Sequence, residues 1–409
     1  RSVESVTHQR CVVEDAARPK GWQSARNGWP ARLSADTEVS MLENRTVVFA
    51  AIALAPAFCL AGGLPDGLGW HELPNTQIRP LCPADELYPG ISGNTGCDSV
   101  IIAWGGAAFD VEGNRLLITG GGHGDYAGNE VYELDLDTRV MRRINAPSYP
   151  LRDGCEAGNN STYADGRPVS RHTYNHLAYI EDQDLLFLFG GSRWQCGYFG
   201  ADTWTYAPAQ DQWLPRNNTD APDGTFGLSI SRDPLTGLLW ARDAYHLYDY
   251  DPATHRWQRR SDDSDIGLSD YRSGVIDPIR GRYFLYTAAN RTLYHYDIRS
   301  SAQMLTIVSR PAPTCAFMDD DAAGWTYDPR QDRLVAWNGG DTLHILNADT
   351  AICTTLTIPG GPVAPEQGTY GRFAYSPQDD VFVTCNDIDT NCHILRLRPS
   401  DALFAHGFE

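Results

Sequence analysis

Three observations predict that the 409-residue chain is an all-β protein, a β-propeller of six blades. First, glycine, proline and aromatic residues are too frequent for a helical bundle, with 38 Gly, 25 Pro, 20 Tyr and 11 Trp. Second, one pattern of short strands recurs six times along the sequence. Third, the last repeat lacks a strand that a segment near the N-terminus can supply.

The repeated unit has a short apolar strand, a turn rich in Asp, Pro or Gly, a second, very apolar strand, and a third strand rich in Tyr, Leu and Asp. Its six copies begin at Trp104, His176, Gly227, Ser273, Gly324 and Arg372. They recur about every 50 residues after a longer first interval, a period that predicts a propeller with four strands per blade. The Gly-Gly pair after the second strand is typical of the kelch-like variety.

A fourth strand, which often begins with Trp, completes the unit, as at Trp213 and Trp257. The last unit ends near Arg398 without one, and Trp70 in the segment GWHELPN matches the missing strand. Pairing of that N-terminal strand would close the ring and remove its exposed sheet edges. Residues 146–171 form a long insertion that is too short for a blade. We therefore count six blades, with a seventh, poorly matching blade as the alternative.

Residues 1–61 have the features of segments that precede the mature protein. Residues 1–40 show no apolar periodicity, and we interpret them as upstream read-through. Residues 41–61 combine Arg45, an apolar run at 46–58 and small residues, which is the pattern of a cleaved secretory signal. A lipoprotein signal at Cys59 and a buried N-terminal helix are the alternatives. A single propeller domain is thus expected at 62–409, in a secreted or periplasmic protein.

The net charge of −19, from 33 basic and 52 acidic residues, disfavours nucleic acid and anionic membranes as partners. The only lysine is Lys20, which lies outside the predicted mature protein. Schiff-base, pyridoxal phosphate and P-loop chemistry are therefore excluded. The apolar run at 46–58 is too short to span a bilayer. We expect a monomer without a membrane span.

The cysteines of the predicted mature chain are even in number, which fits disulfides formed in an oxidising compartment. We expect sequential pairing, although the sequence leaves other pairings open: Cys82–Cys97, Cys155–Cys196, Cys315–Cys353 and Cys385–Cys392. No CxxC pair occurs, which disfavours a zinc ribbon. The start of a calcium loop at Asp387 lacks the Gly and Glu that would complete one. We therefore predict no catalytic metal site and no required cofactor; a structural calcium or zinc ion stays open as an alternative that no residue pattern supports.

Loops on one face of a propeller surround its central channel, and here they gather residues suited to chemistry. The loop after the second strand of the first blade, 120–130, holds His123 among glycines, which let backbone approach closely. An apolar core role is excluded for His123 in such a loop. The segment leading into the second blade, SRHTYNH, is rich in polar and aromatic residues: Arg171, His172, Tyr174 and His176.

Further cationic and aromatic residues fall at the matching places of the blades: Arg193, Trp194, Phe226, Arg242, Tyr271, Arg272, Tyr370 and Arg372. Arginine binds carboxylate or sulfate through paired hydrogen bonds, and aromatic rings stack on sugars. This face should therefore bind an anionic saccharide. Four other histidines recur with the repeat, in or beside third strands, which indicates a structural role: His246, His295, His344 and His393.

The glycine–histidine loop followed by Arg-His-x-Tyr resembles the secreted propeller polysaccharide lyases, of which the ulvan lyases are the known type. The resemblance implies a β-elimination in which two His, a Tyr and an Arg surround the cleaved bond. Matched by position, it assigns catalytic roles to His123, to His172 with His176 as the alternative, and to Arg242. The Arg would neutralise the uronate carboxylate, and His or Tyr would move the protons.

Two departures from that family are visible. Its Tyr position holds Phe226 here, so another phenol would have to act: Tyr174, which we assign, or Tyr245 or Tyr271. Its members also have seven blades, against the six counted here. The chemistry itself is coherent, since masking the carboxylate acidifies the C5 proton of a uronate and a His or Tyr can remove it.

Three functions are weighed for this chain. The first is a lyase acting on an anionic, uronate-containing polysaccharide. The second is a non-catalytic glycan-binding or cell-surface propeller, which loss of the phenol at Phe226 favours. The third is a copper oxidase, suggested by Tyr245-His246 and Tyr294-His295, which would need a free cysteine linked to Tyr. A glycoside hydrolase would need facing carboxylates, and only Asp125 and Asp243 are evident at the mouth.

Overall fold

A computed structural model describes residues 63–152, 161–196, 199–224, 227–261, 272–287, 291–303, 305–308, 315–319 and 322–399. In these residues the chain forms six antiparallel sheets of four strands each, arranged as the six blades of a β-propeller. The all-β prediction and the count of six blades are confirmed. The predicted read-through and secretory signal at 1–61 lie outside the described residues and remain predictions.

The first three blades follow one another along the chain. Blade 1 consists of β2 (Gly106–Asp110), β3 (Arg115–Thr119), β4 (Tyr132–Asp135) and β5 (Val140–Arg143). Blade 2 consists of β6 (Leu177–Ile180), β7 (Leu185–Ser192), β8 (Phe199–Ala207) and β9 (Gln212–Pro215). Blade 3 consists of β10 (Ser229–Arg232), β11 (Leu239–Arg242), β12 (Leu247–Asp251) and β13 (Arg256–Arg259).

The remaining blades continue the order until the last. Blade 4 consists of β14 (Gly274–Asp277), β15 (Arg282–Thr287), β16 (Thr292–Asp297) and β17 (Leu305–Val308). Blade 5 consists of β18 (Gly324–Asp328), β19 (Arg333–Trp337), β20 (Thr342–Asn347) and β21 (Cys353–Thr357). Blade 6 consists of β22 (Phe373–Ser376), β23 (Val381–Thr384), β24 (His393–Arg396) and β1 (Gly69–Glu72).

Closure of the ring by the N-terminal strand is confirmed. β1 pairs antiparallel with β24, with Gly69 opposite Arg396 and Glu72 opposite His393. Trp70, the residue that predicted this strand, packs its ring 5.1 Å from that of Trp337 in blade 5. The N-terminal strand therefore completes the sheet edge of blade 6 and fills the gap toward its neighbour.

Helical structure in the described residues is limited to short turns. One α-helical turn, α1, spans Ser99–Ile102. Six 3₁₀ turns accompany it: Arg79–Leu81, Gly96–Asp98, Glu181–Gln183, Pro208–Gln210, Ala316–Asp319 and Tyr370–Arg372. None of these is long and apolar enough to cross a membrane.

Because successive strands of a blade are antiparallel, the loops after second strands lie on the same face as the segments leading into first strands. We call this side the loop face, and the opposite side, where each first strand turns into its second, the turn face. A central cavity of about 430 Å³ lies along the first strands of all six blades. The insertion 146–171 approaches blade 2 on the loop face and, where described, adds no sheet.

Three of the expected disulfides are present: Cys82–Cys97, Cys315–Cys353 and Cys385–Cys392. Cys196 is also disulfide-bonded. Cys155, its expected partner, lies outside the described residues. All of the described cysteines are therefore oxidised, which removes from them the free thiol that the copper-oxidase hypothesis requires.

Candidate functional site

Three aromatic residues stand at equivalent places on the loop face, just before the first strands of blades 1, 2 and 6: Trp104, Tyr174 and Tyr370. We call them the aromatic mouth. The ring of Tyr174 lies 6.5 Å from that of Trp104 and 6.1 Å from that of Tyr370. The backbone N–H of Tyr174 donates to the carbonyl of Trp104 across the blades, at 2.7 Å. Trp104 is half-buried, whereas the two tyrosines are buried.

All three members of the aromatic mouth have left-handed backbone, with φ of 51°, 41° and 48°. His123 shares this conformation, with φ of 46°. The left-handed region is disfavoured for bulky residues, and such residues persist only where the surrounding structure holds them. All four lie on the loop face, so the structure around them must hold this disfavoured backbone in place.

The glycine loop brings His123 against the segment leading into blade 2. At Gly122, which has φ of 84°, a Cβ atom would lie 2.4 Å from the Cα of Arg171 and from the carbonyl oxygen of Ser192. Only glycine allows this approach. As a result the exposed imidazole of His123 lies 5.9 Å, centroid to centroid, from that of His172.

His172 is buried and joins two polar side chains. Its Nε2 atom lies 2.9 Å from Oδ2 of Asp125, and its Nδ1 atom lies 3.2 Å from the hydroxyl of Tyr174. The indole of Trp104 packs on the same imidazole, with ring centroids 5.0 Å apart. The structure thus brings together His123, His172 and Tyr174, three of the four residues predicted to be catalytic.

The surroundings of His172 and Asp125 determine which of these two side chains is charged at neutral pH. Burial lowers the pKa of His172, although the carboxylate of Asp125 opposes that shift. The hydrogen bond with His172 lowers the pKa of Asp125 against the effect of its partial burial. At neutral pH the pair is therefore a neutral imidazole beside an ionised carboxylate, an arrangement suited to moving protons.

His176, the alternative second histidine, lies behind this cluster. It is fully buried, its ring centroid is 5.2 Å from that of Tyr174, and its Nδ1 atom is 3.1 Å from the carbonyl oxygen of Phe189. It supports Tyr174 from within the blade.

Arg242, the fourth predicted catalytic residue, is fully buried at the end of β11. Its Nε atom donates to the hydroxyl of Tyr296 in blade 4 at 2.7 Å, and its Nη1 atom donates to the carbonyl of Asp243. The expectation that it faces the channel mouth is therefore not met in this structure. The guanidinium of Arg242 therefore links blade 3 to blade 4. It supplies the hydrogen-bond donor that the buried hydroxyl of Tyr296 and the carbonyl of Asp243 need.

The arginines predicted to bind substrate are also mostly internal. Arg171 is buried and donates to Asp202 at 2.9 Å and to the carbonyl of Gly190 at 3.0 Å. Arg372 is buried among carbonyl groups and donates to that of Gly368 at 2.6 Å. Arg272 is buried as well. Carbonyl and carboxylate acceptors already engage the guanidinium groups of Arg171 and Arg372, so a substrate carboxylate would not reach them without a rearrangement.

The segment after β7 lies beside the cluster, since the N–H of Gln195 donates to the carbonyl of His123. Arg193 is half-buried and forms a β-bridge with Arg171. Trp194 is buried against Gly93. Phe226 and Tyr271 lie outside the described residues, so their predicted contact with substrate remains a prediction. In the described part of the chain, no group of three or more His, Cys, Asp or Glu side chains is arranged to hold a metal ion.

Sequence reasoning missed two members of the cluster. Trp104 was interpreted only as the start of a repeat, although an aromatic residue at the place of Tyr174 and Tyr370 was a signal that could have identified it. Thr95, whose hydroxyl donates to Oδ1 of Asp125 at 3.1 Å, lies before the first blade, and no sequence pattern marks it. Asp125 was noted as an acid at the mouth, but its pairing with His172 was not foreseen.

No family model and no curated protein matches this sequence. Among solved structures, an auxiliary nutrient binding protein from Bacteroides thetaiotaomicron is 9% identical over 80% of this chain and 76% of its own, with a TM-score of 0.46. A chain of a nidogen/laminin complex is 11% identical over 64% of this chain and 81% of its own, with a TM-score of 0.41. Likeness at these identities concerns the fold alone.

Proposed function

We propose that the protein is a polysaccharide lyase that cleaves a uronate-containing anionic polysaccharide by β-elimination. The observation that carries the proposal is His172 held between Asp125 and Tyr174, with the exposed His123 at 5.9 Å. In this proposal the propeller is related to the kelch-like lyases of the ulvan lyase type. Its disulfides support an exported protein, since such bonds persist in oxidising compartments.

Each part of the reaction has a candidate group. The Tyr174–His172 pair takes the C5 proton of the uronate, and the electron pair left at C5 forms the C4–C5 double bond. The C4–O bond then breaks, and the leaving oxygen takes a proton from His123. Positioned acid and base groups of this kind contribute about 100-fold to 10,000-fold each to a proton-transfer reaction.

The uronate carboxylate also needs a cation, since the C5 proton is acidic only when that charge is masked. Of the five arginines predicted to act on substrate, Arg193 is the one left half-buried rather than buried. Its segment contacts the cluster, because Ser192 accepts a hydrogen bond from the N–H of His172 at 3.0 Å. We therefore assign the carboxylate to Arg193 in place of Arg242.

Absorbance near 235 nm during incubation with ulvan, alginate, glucuronan, pectate and glycosaminoglycans tests the proposal, because the new double bond conjugates with the carboxylate. We expect a rise on at least one polymer that His123→Ala and His172→Ala abolish. His71→Ala, on the outer strand β1, should leave the rate unchanged. A flat trace with every polymer and folded protein contradicts the lyase.

The aromatic mouth favours a second candidate, a glycan-binding propeller without catalysis. A half-buried indole beside two phenols can stack on a sugar ring with no proton transfer. Binding of a polymer without any rise in absorbance, at an affinity unchanged by His123→Ala, would support this function. Isothermal titration on the same polymers provides that comparison.

A further inference from the structure

Four side chains from three segments form one hydrogen-bonded chain on the loop face. The hydroxyl of Thr95 donates to Oδ1 of Asp125 at 3.1 Å. Oδ2 of the same carboxylate lies 2.9 Å from Nε2 of His172, and Nδ1 of that imidazole lies 3.2 Å from the hydroxyl of Tyr174. Both carboxylate oxygens and both ring nitrogens are therefore engaged along a single line that ends at the aromatic mouth.

The backbone fixes the carboxylate end of this chain. The carbonyl of Asp125 accepts the N–H groups of Thr95 and Gly96, at 3.1 and 3.2 Å, and the carbonyl of Gly124 accepts that of Asn94 at 2.9 Å. The disulfide Cys82–Cys97 adjoins this segment. Asp125 is thus held by main chain as well as by its side-chain partners, with one quarter of its side chain exposed.

The chemistry of the acceptors determines where the protons lie. An ionised carboxylate has no hydrogen to donate, so Nε2 of His172 must carry one. In the neutral imidazole the other nitrogen, Nδ1, is then bare and can only accept. The hydrogen between Nδ1 and the phenol must come from Tyr174.

We infer that Asp125 and Thr95 are positioning residues that hold His172 as its Nε2–H tautomer, so that Nδ1 is kept free to take the proton of Tyr174. The tautomer itself is independent of any substrate, whereas its value for catalysis rests on the proposed function. When Tyr174 gives its proton to Nδ1, the imidazolium that forms lies against the Asp125 carboxylate, which stabilises it. The phenol oxygen then acts as a base and takes the C5 proton of the uronate, which restores the Tyr174 hydroxyl. The proton left on Nδ1 of His172 is released to water, and His123 regains from water the proton that it gave to the leaving oxygen.

The tautomer is measured by long-range ¹H–¹⁵N correlation spectra of protein labelled with ¹⁵N-histidine, with His172→Gln identifying the signals of His172. At pH 7 we expect a protonated Nε2 and a bare Nδ1. Asp125→Leu, which keeps the branched shape of the side chain but removes the acceptor, should give a mixture of tautomers. Thr95→Val should shift the populations in the same direction by a smaller amount, and Thr95→Ser should restore them.

Asp387→Asn is the matched control, because it neutralises an exposed carboxylate on the same face in blade 6. Its spectrum should equal that of the parent protein. A protonated Nδ1 on His172 in the parent protein, or an imidazolium at pH 7, overturns the inference. So does an Asp125→Leu spectrum equal to that of Asp387→Asn. If Asp125→Leu does not fold, the tautomer seen in the spectrum of the parent protein still tests the inference.

Turnover separates this inference from the proposed function. If a polymer is cleaved, Asp125→Leu should lower kcat about 100-fold with KM nearly unchanged. Cleavage with kcat unaffected by Asp125→Leu refutes the positioning role and leaves the lyase standing. The predicted tautomer without cleavage of any polymer refutes the lyase and leaves the proton arrangement standing.

Discussion

The two ends of the first strands carry different kinds of side chain. On the turn face, buried carboxylates at the strand ends meet arginines: Asp110 with Arg115, Asp233 with Arg299, Asp277 with Arg280, and Asp328 with Arg398. On the loop face, the equivalent ends carry aromatic residues in left-handed backbone and an exposed histidine. Carboxylates that recur in four of the six blades hold the turn face together, whereas the candidate site lies where blades 1, 2 and 6 carry aromatic residues beside the glycine loop.

Tyrosines of the first strands extend the pattern of the turn face. The hydroxyl of Tyr327 donates to Asp332 at 2.7 Å, and that of Tyr375 donates to Asp380 at 2.6 Å. Asp332 also accepts from Arg280 of the preceding blade at 2.6 Å. The turn face is therefore a network that joins adjacent blades, and its polar groups are committed to that task.

The largest effect should come from breaking the network on the turn face. Asp328 is fully buried and accepts from Arg333 at 3.0 Å and from Arg398 at 2.7 Å. Asp328→Ala leaves Arg333 without its carboxylate and Arg398 with Asp380 alone, and should lower the free energy of unfolding by about 3 kcal/mol. Urea unfolding followed by tryptophan fluorescence measures it.

Asp349→Ala is the control for that loss, since Asp349 is exposed and lies 3.5 Å from Arg280. It should change the free energy of unfolding by less than about 1 kcal/mol. Equal losses for the two variants would mean that the turn-face carboxylates are no more than surface charges.

A smaller effect, on polymer binding, is expected when the indole of the aromatic mouth is removed. Trp104→Ala removes the half-buried indole beside His172 and should weaken polymer binding about tenfold, roughly 1.4 kcal/mol. Tyr245→Ala removes an exposed ring from blade 3 of the same face and should leave affinity unchanged. Isothermal titration compares them. A loss for Tyr245→Ala alone would move the binding site away from the aromatic mouth.

The smallest effect is the pH dependence of the free energy of unfolding that is caused by Glu130, at the end of the glycine loop. Glu130 is buried, and the hydroxyls of Tyr126 and Tyr132 donate to its Oε1 at 2.6 and 2.9 Å. Burial raises the pKa of Glu130, so the folded state binds more protons than the unfolded state above the ordinary carboxyl pKa. The free energy of unfolding should therefore fall as the pH rises through that range.

Glu130→Gln keeps the acceptor and removes the ionisation, so it should stabilise the fold by about 1 kcal/mol at pH 8 and by little at pH 4. Glu112→Gln, at an exposed site of blade 1, should show no such trend. Urea unfolding at the two pH values measures both. A stabilisation that is the same at pH 4 and pH 8 would rule out titration of Glu130 as its cause.

The fold could be predicted from the sequence because the same pattern of strands repeats along the chain. Strand patterns recur blade by blade, and Trp70 has the same place in its strand as Trp213 and Trp257. The meeting of His123 with His172 also followed from topology, since adjacent blades present their loops side by side. Position within a repeat is sufficient for inferences of this kind.

The roles of the arginines could not be predicted in this way. Arg242 and Arg372 stand at places that face the loops, yet their guanidinium groups turn inward to a phenol and to carbonyl groups of the next blade. Which carbonyls lack a donor depends on how the blades pack, and no sequence pattern records it. The left-handed backbone of Trp104 and Tyr174 is equally invisible in the sequence, because neither residue type favours it.

The pairing of β1 with β24 has a consequence for the order of folding. Blade 6 joins strands from the two ends of the described chain, so its outer edge forms only after the rest of the ring has brought those ends together. Contacts between distant parts of a sequence slow folding, because the chain entropy is lost before the contact is gained. Until then Gly69–Glu72 has no partner strand, and closure of the ring is the event that covers it.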